Sequence, residues 1–143
     1  MTSIESAVLA LPEYVYPQAR LVDQTLALWS REAPLPKLAV AKFQRIVRGL
    51  GIESRHLAWP IDTYLELGSF ADANARYQTA AKPLAEGALR TALAQAKVSP
   101  QAIDTVYVAS ITGLMTPSLD AHLVERVGMR RDVARLPSYG LGC

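Results

Sequence analysis

From residue 69 to residue 127 the chain runs from a long helical pattern through a short apolar stretch into a second helical pattern, and this succession restricts the fold more than any other feature. Ser69-Phe-Ala-Asp72 resembles a capping box with Asp in the usual Glu place, and the alanine-rich stretch behind it predicts a helix to about Ala96. Tyr77, Ala81, Leu84, Ala88, Ala92 and Ala96 share a face, and so many alanines suit close packing against a sheet or another helix. Ser99-Pro100 predicts one short capped turn. Thr105-Val-Tyr-Val-Ala-Ser110 then reads as a buried strand, and Pro117 to Val127 as a helix with Leu119, Leu123 and Val127 inward, ended by Gly128. Strands interleaved with helices in this way predict an α/β fold with a partly parallel sheet.

The front of the chain follows the same logic with weaker signals. Ser6 to Leu11 alternates and stops at Pro12, which predicts a short buried strand. Pro17 opens a helix over Gln18 to Arg31 with Val22, Leu26 and Trp29 on one face. Pro34-Leu-Pro36 breaks the pattern, and Leu38, Phe43 and Ile46 predict a second helix over about Lys37 to Val47, ending near Gly49 and Gly51. Arg55 to Pro60 is a connector or a strand, and Tyr64 to Gly68 has no clear pattern. No repeat, linker or low-complexity segment divides residues 1–143, which read as a single domain or one part of a larger one.

Composition removes several function classes. Fifteen Lys and Arg against 13 Asp and Glu give a net charge of +2 without a long basic tract, so nucleic acid is not an expected partner. No apolar stretch approaches the roughly 18 residues that a bilayer crossing needs. Met1 to Pro12 lacks a basic n-region and carries Glu5, unlike a signal peptide, so the expectation is a soluble, cytoplasmic protein. A lone cysteine makes neither an intramolecular disulfide nor a cysteine-rich zinc site. His56 and His122 have no carboxylate or Cys at metal-ligand spacing, so no metal site is expected. Asp62 and Glu66, at helical spacing, are best explained as a solvated face.

In open α/β sheets chemistry collects at the carboxyl ends of strands. Two segments fall there: Ser110-Ile-Thr-Gly-Leu-Met-Thr-Pro117, and the run Leu136-Pro-Ser-Tyr-Gly-Leu-Gly-Cys143. Apolar residues running into small glycine punctuation and then a nucleophile are how a strand-to-helix elbow presents a reactive side chain. Cys143 is therefore a candidate nucleophile, beside the plainer alternative of a small apolar residue. The Thr112 to Pro117 turn is either turn chemistry alone or a pocket wall in which Pro117 fixes a cis peptide. Lys42, Arg45 and Arg48, three apart, form a cationic stripe that either holds phosphates or is simply solvated.

Together, Lys42-Phe-Gln-Arg45 ahead of Gly-Ile-Glu-Ser-Arg-His56, the Ser110 to Asp120 strand and loop, and Gly-Leu-Gly-Cys143 resemble the N-terminal portion of a type III polyketide synthase of the chalcone and stilbene synthase family, in the thiolase-like superfamily. The resemblance implies the N-terminal half of a layered αβαβα thiolase-like fold, incomplete over 1–143. It implies that Cys143 attacks an acyl-CoA and carries the growing chain, while malonyl-CoA is decarboxylated to an enolate equivalent that attacks the bound acyl group. The family's oxyanion-stabilising His and Asn would fall beyond Cys143, so this stretch alone is expected to be inactive and poorly folded, with exposed apolar surface.

By the same resemblance Lys42 and Arg45 bind CoA phosphates. A third family cation falls at Gly49, with Arg48 as an imperfect substitute. Thr112 matches a hydroxyl-bearing pocket position, with Ile111 apolar where plant members carry another hydroxyl. Thr116 matches a position that reaches across a homodimer interface, before a cis proline. The wording Leu-Met-Thr-Pro-Ser118 is closer to bacterial members, some of which make alkylpyrones or alkylresorcinols. No cofactor is implied, since acyl-CoA and malonyl-CoA are substrates. Two alternatives stay open: another condensing enzyme of the superfamily, such as a ketoacyl synthase III or a hydroxymethylglutaryl-CoA synthase, and a non-catalytic dimerisation or binding module.

Overall fold

Ser69 does what its position predicts. Its Oγ accepts from the Asp72 N–H at 3.1 Å and starts the longest helix of the chain, Phe70–Ala96 (here α4, after the shorter elements described below). The Asp72 carboxylate pairs instead with Arg76 one turn on, at 3.3 Å. The computed structural model describes residues 3–31 and 33–140. These divide into two units: Pro12–Glu66, and the described residues on either side of it.

In the first unit, β1 (Tyr14–Pro17) leads directly into α1 (Gln18–Trp29), followed by α2 (Lys37–Gly49), β2 (Ser54–Leu57) and the short α3 (Ile61–Leu65). β1 and β2 pair antiparallel, with Tyr14 opposite Leu57 and Pro17 opposite Ser54. The strand expected over Ser6 to Leu11 is not there: those residues form no regular element, and the strand lies beyond Pro12. A strand is completed by a ladder partner, and among the described residues β2 takes Tyr14–Pro17 as its partner. Arg55 to Pro60 resolves into β2 at its start, and the segment without clear pattern begins inside α3. The helices meet through Trp29 and Phe43, whose ring centroids are 5.0 Å apart and tilted by 60°. On α2 the buried residue is Val47, whereas Leu38 is 82% exposed and Ile46 55% exposed, so the inward face is not the one expected from Leu38 and Ile46.

The second unit is built on α4, a 3₁₀ turn over Pro100–Ala102, β3 (Thr105–Ser110), α5 (Leu119–Val127) and β4 (Ala134–Tyr139). β3 and β4 run parallel, pairing Thr105 with Ala134 through to Ser110 with Tyr139. This is the partly parallel α/β arrangement that the alternation of strand and helix implies. Leu93, Val106, Val127, Met129 and Val133 form one buried cluster, and Met115, Leu119 and Leu123 a second, with Leu89 and Val108 packed against both. On α4 the row against the second cluster is Tyr77, Ala81, Ala85 and Leu89, one turn apart each time. The expected row began correctly at Tyr77 and Ala81 but then drifted to Leu84. Gly128, at φ +79°, closes α5, and the Met129 N–H reaches back to the Val124 carbonyl at 3.0 Å. A Cβ is disfavoured at that φ, which is why glycine stands there.

Candidate functional site

The β3 and β4 strands end side by side, and the segments that leave them are cross-tied. The Gly140 N–H donates to the Ser110 carbonyl at 3.0 Å, which carries the ladder one residue past β4. Gly140 itself has φ +74°, in the left-handed region, at the exit of the strand. Cys143 follows three residues later and lies outside the described residues.

After β3 the chain forms the 111–118 loop. Ser110 Oγ donates to the Gly113 carbonyl at 3.2 Å, and Tyr139 on β4 donates its hydroxyl to the Met115 carbonyl, also at 3.2 Å. The Thr116–Pro117 peptide is cis, the arrangement that the family resemblance implies. Thr112 and Thr116 are both exposed, as is Ile111, while Gly113 and Met115 are buried. The loop therefore alternates anchoring residues with presented ones. A mostly apolar cavity of about 330 Å³ opens there, lined by Phe70, Ile111, Thr112, Leu114, Tyr139 and Gly140. That volume is in the range of small-molecule pockets.

Two anchors of this loop were not singled out from the sequence. Asn74 and Gln78, one turn apart on α4, both bind the backbone of Leu114: its N–H donates to Asn74 Oδ1 at 2.8 Å, and Gln78 Nε2 donates to its carbonyl at 3.2 Å. The signal was present as two amides at i and i+4 on a helix otherwise rich in alanine.

The cations lie in the other unit. Lys42, Arg45 and Arg48 are all exposed on α2. At roughly 100° per residue, Gly49 lies nearly over Lys42, whereas Arg48 points about 120° away from it. Arg48 Nε turns back to the Gln44 carbonyl at 3.3 Å, and its side chain lines a different cavity, of about 550 Å³, beside Gln18, Asp23 and Glu53. Arg45 thus stands between Lys42 and Arg48 around the helix, and Arg48 is well off the Lys42 line. That larger cavity carries two carboxylates, an environment that disfavours a phosphate.

His56 Nδ1 is 2.7 Å from the Pro12 carbonyl, which occupies that nitrogen structurally. His122 is half-buried on α5, and Asp62 and Glu66 are exposed. Among the described residues no three His, Cys, Asp or Glu side chains gather as a metal site would need. No helix among them is long and apolar enough to cross a membrane.

No protein-family model matches the chain. It is 42% identical over 142 residues to a 1,3,6,8-tetrahydroxynaphthalene synthase of Streptomyces peucetius subsp. caesius, covering 99% of this chain and 37% of that protein. It is 32% identical over 137 residues to a phloroglucinol synthase of Pseudomonas fluorescens, covering 94% of this chain and 39% of that protein. Among solved structures, the tetrahydroxynaphthalene synthase of Streptomyces coelicolor, a bacterial type III polyketide synthase, superposes with a TM-score of 0.78 at 28% identity, over 92% of this chain and 36% of that one. A fungal type III polyketide synthase shares the fold with a TM-score of 0.78 at 23% identity. The chain spans well under half the length of each of these proteins, and over that span it belongs to the type III polyketide synthase family, with the thiolase-like fold.

Proposed function

We propose that the chain carries the acyl-loading side of a polyketide-forming condensation. The observation that carries this reading is the convergence at one sheet end: the hydroxyl-bearing 111–118 loop, the apolar cavity and the Gly140 turn stand where β3 and β4 finish, and Cys143 follows three residues on in sequence. The names of the relatives support it. The Cys143 thiolate attacks the carbonyl carbon of an acyl-CoA, and the CoA thiolate leaves with the proton that the cysteine gave up. Malonyl-CoA then loses carbon dioxide, and the resulting enolate carbon attacks the cysteine-bound carbonyl and releases the Cys143 thiolate. Sulfur suits both steps, as nucleophile and as leaving group. The oxyanions are assigned to His and Asn side chains C-terminal to this stretch.

Lys42 and Arg45 take the CoA phosphates in this reading, and Thr112 with Ile111 borders the acyl cavity. Thr116 faces a second copy across a homodimer interface. Acyl-CoA and malonyl-CoA are substrates, no resident cofactor is involved, and the setting is cytoplasmic.

Intact-mass measurement of the polyketide synthase that contains this chain, after incubation with an acyl-CoA, tests the reading. A single acyl adduct on the wild type and none on Cys143→Ala is expected, and an adduct that survives the substitution overturns it. Replacing both Lys42 and Arg45 with Ala should raise KM for acyl-CoA by about tenfold or more, the effect of losing a charge-assisted contact. It should leave an acyl N-acetylcysteamine thioester, which lacks phosphates, unaffected.

A further inference from the structure

The 111–118 loop is gripped from α4 at one peptide unit. The Leu114 N–H is bound by Asn74 at 2.8 Å and its carbonyl by Gln78 at 3.2 Å, so Leu114 can neither slide along nor rotate away from the helix. Its neighbours reinforce the grip. A Cβ at Gly113 would run into the Tyr77 ring and come within 2.8 Å of Asn74 Oδ1, so the loop backbone lies directly against the helix. Met115 is 7% exposed, its side chain in the cluster with Leu119 and Leu123, and its carbonyl accepts from Tyr139. Three consecutive residues are held, while Ile111 at 63% exposure and Leu114 at 49% present their side chains outward next to Thr112.

We propose that Asn74 is a positioning residue for acyl-group selectivity: by fixing the Leu114 peptide it sets where Ile111, Thr112 and Leu114 stand in the wall of the acyl cavity. This rests on the polyketide synthase reading above. Nothing in Asn74 touches the cavity, since it is not among the residues that line it. Its effect passes through the loop backbone, and small displacements of substrate-positioning groups carry large kinetic consequences. The Asn74 side chain is suited to this task because its Oδ1 accepts the Leu114 N–H in a direct hydrogen bond that orders the peptide.

The test compares wild type, Asn74→Ala and Asn74→Asp in the polyketide synthase that contains this chain. Three quantities are measured: acyl loading on Cys143, the ratio of kcat/KM for a long-chain and a short-chain acyl-CoA, and amide exchange at Leu114. Asn74→Ala should shift the ratio by about fivefold or more and accelerate exchange at Leu114 by about tenfold or more. Asn74→Asp keeps an acceptor for the Leu114 N–H and should keep the wild-type ratio. If Asn74→Ala does not fold, Gln78→Ala releases the carbonyl side alone and should move the same ratio. An equal loss with every acyl-CoA, or an unchanged ratio, overturns the proposal while acyl loading on wild-type Cys143 upholds the function beneath it. Absence of loading on the wild type overturns both.

Discussion

The two units of this chain solve burial differently. In the α4 unit, helices cover one face of the β3–β4 pair, and Val106, Leu119, Leu123, Val127, Met129 and Val133 are all buried within it. In Pro12–Glu66, among the described residues, only Val47 and Ile61 reach comparable burial, while Trp29, Leu38, Ile46 and Leu50 stay half or more exposed. The α4 unit has its own open side, where the register partners Tyr107 and Leu136 are 63% and 55% exposed. The lesson is that an apolar helical stripe shows which residues need cover and does not show what supplies it. A strand between two helices carries its cover within the same stretch of sequence.

The largest expected effect lies in the better-packed unit. Leu123→Ala, at a site 4% exposed, should cost about 2–5 kcal/mol, whereas Ile46→Ala, at 55% exposure, should stay within about 0.5 kcal/mol. Urea midpoints of the two variants measure the contrast, and similar losses would erase the distinction between the units. Next comes the ion pair of Arg135 with the fully buried Asp120, 3.4 Å apart. Asp120 Oδ1 has no hydrogen-bond partner among the described residues, so Arg135 is its main compensation. Arg135→Met should cost about 2 kcal/mol, below the roughly 3–5 kcal/mol of a fully buried pair because Arg135 keeps much of its surface in water.

Smaller again is the cap. Ser69→Ala removes the acceptor for the Asp72 N–H and should cost about 1 kcal/mol, detectable as a lower urea midpoint and as fraying in amide exchange at the start of α4. The smallest effect concerns pH. Glu86 is held below the ordinary carboxylate range by hydrogen bonds from Arg90 first and Arg126 second. Its contribution is therefore present above the pKa it has in the unfolded chain and is lost as pH falls through its lowered folded value. The stability gap between wild type and Glu86→Gln should shrink on acidification through that window, and a gap independent of pH would sever the link between these arginines and the fold.

Much of this was legible because the signals were local. The Ser69 cap, the Thr105–Ser110 strand and the Gly128 stop each depend on residues within one turn or one strand, and all three stand at the expected places, although the strand expected to be buried has only Val106 buried and leaves Tyr107 63% exposed. The missed strand at Tyr14–Pro17 is different. Its identity depends on β2, some forty residues away, and alternation alone favoured the segment before Pro12. For the site, the hydroxyls and proline of the loop were visible in the sequence and the family resemblance implied the cis peptide, whereas Asn74 and Gln78 gave no such sign, because their roles are defined by a backbone distant in sequence.

The amino-acid sequence by itself determined the order of helices and strands after Ser69, the helix caps, the cationic pair Lys42 and Arg45, and the chemical character of the 111–118 loop. Those properties follow from backbone preference, side-chain periodicity and charge, which act over a few residues. Tertiary structure alone decided which face of α2 turns inward and that α4 fastens the loop through Leu114. Each of these is a choice among faces or partners that are equivalent locally, and only packing between distant segments makes them unequal.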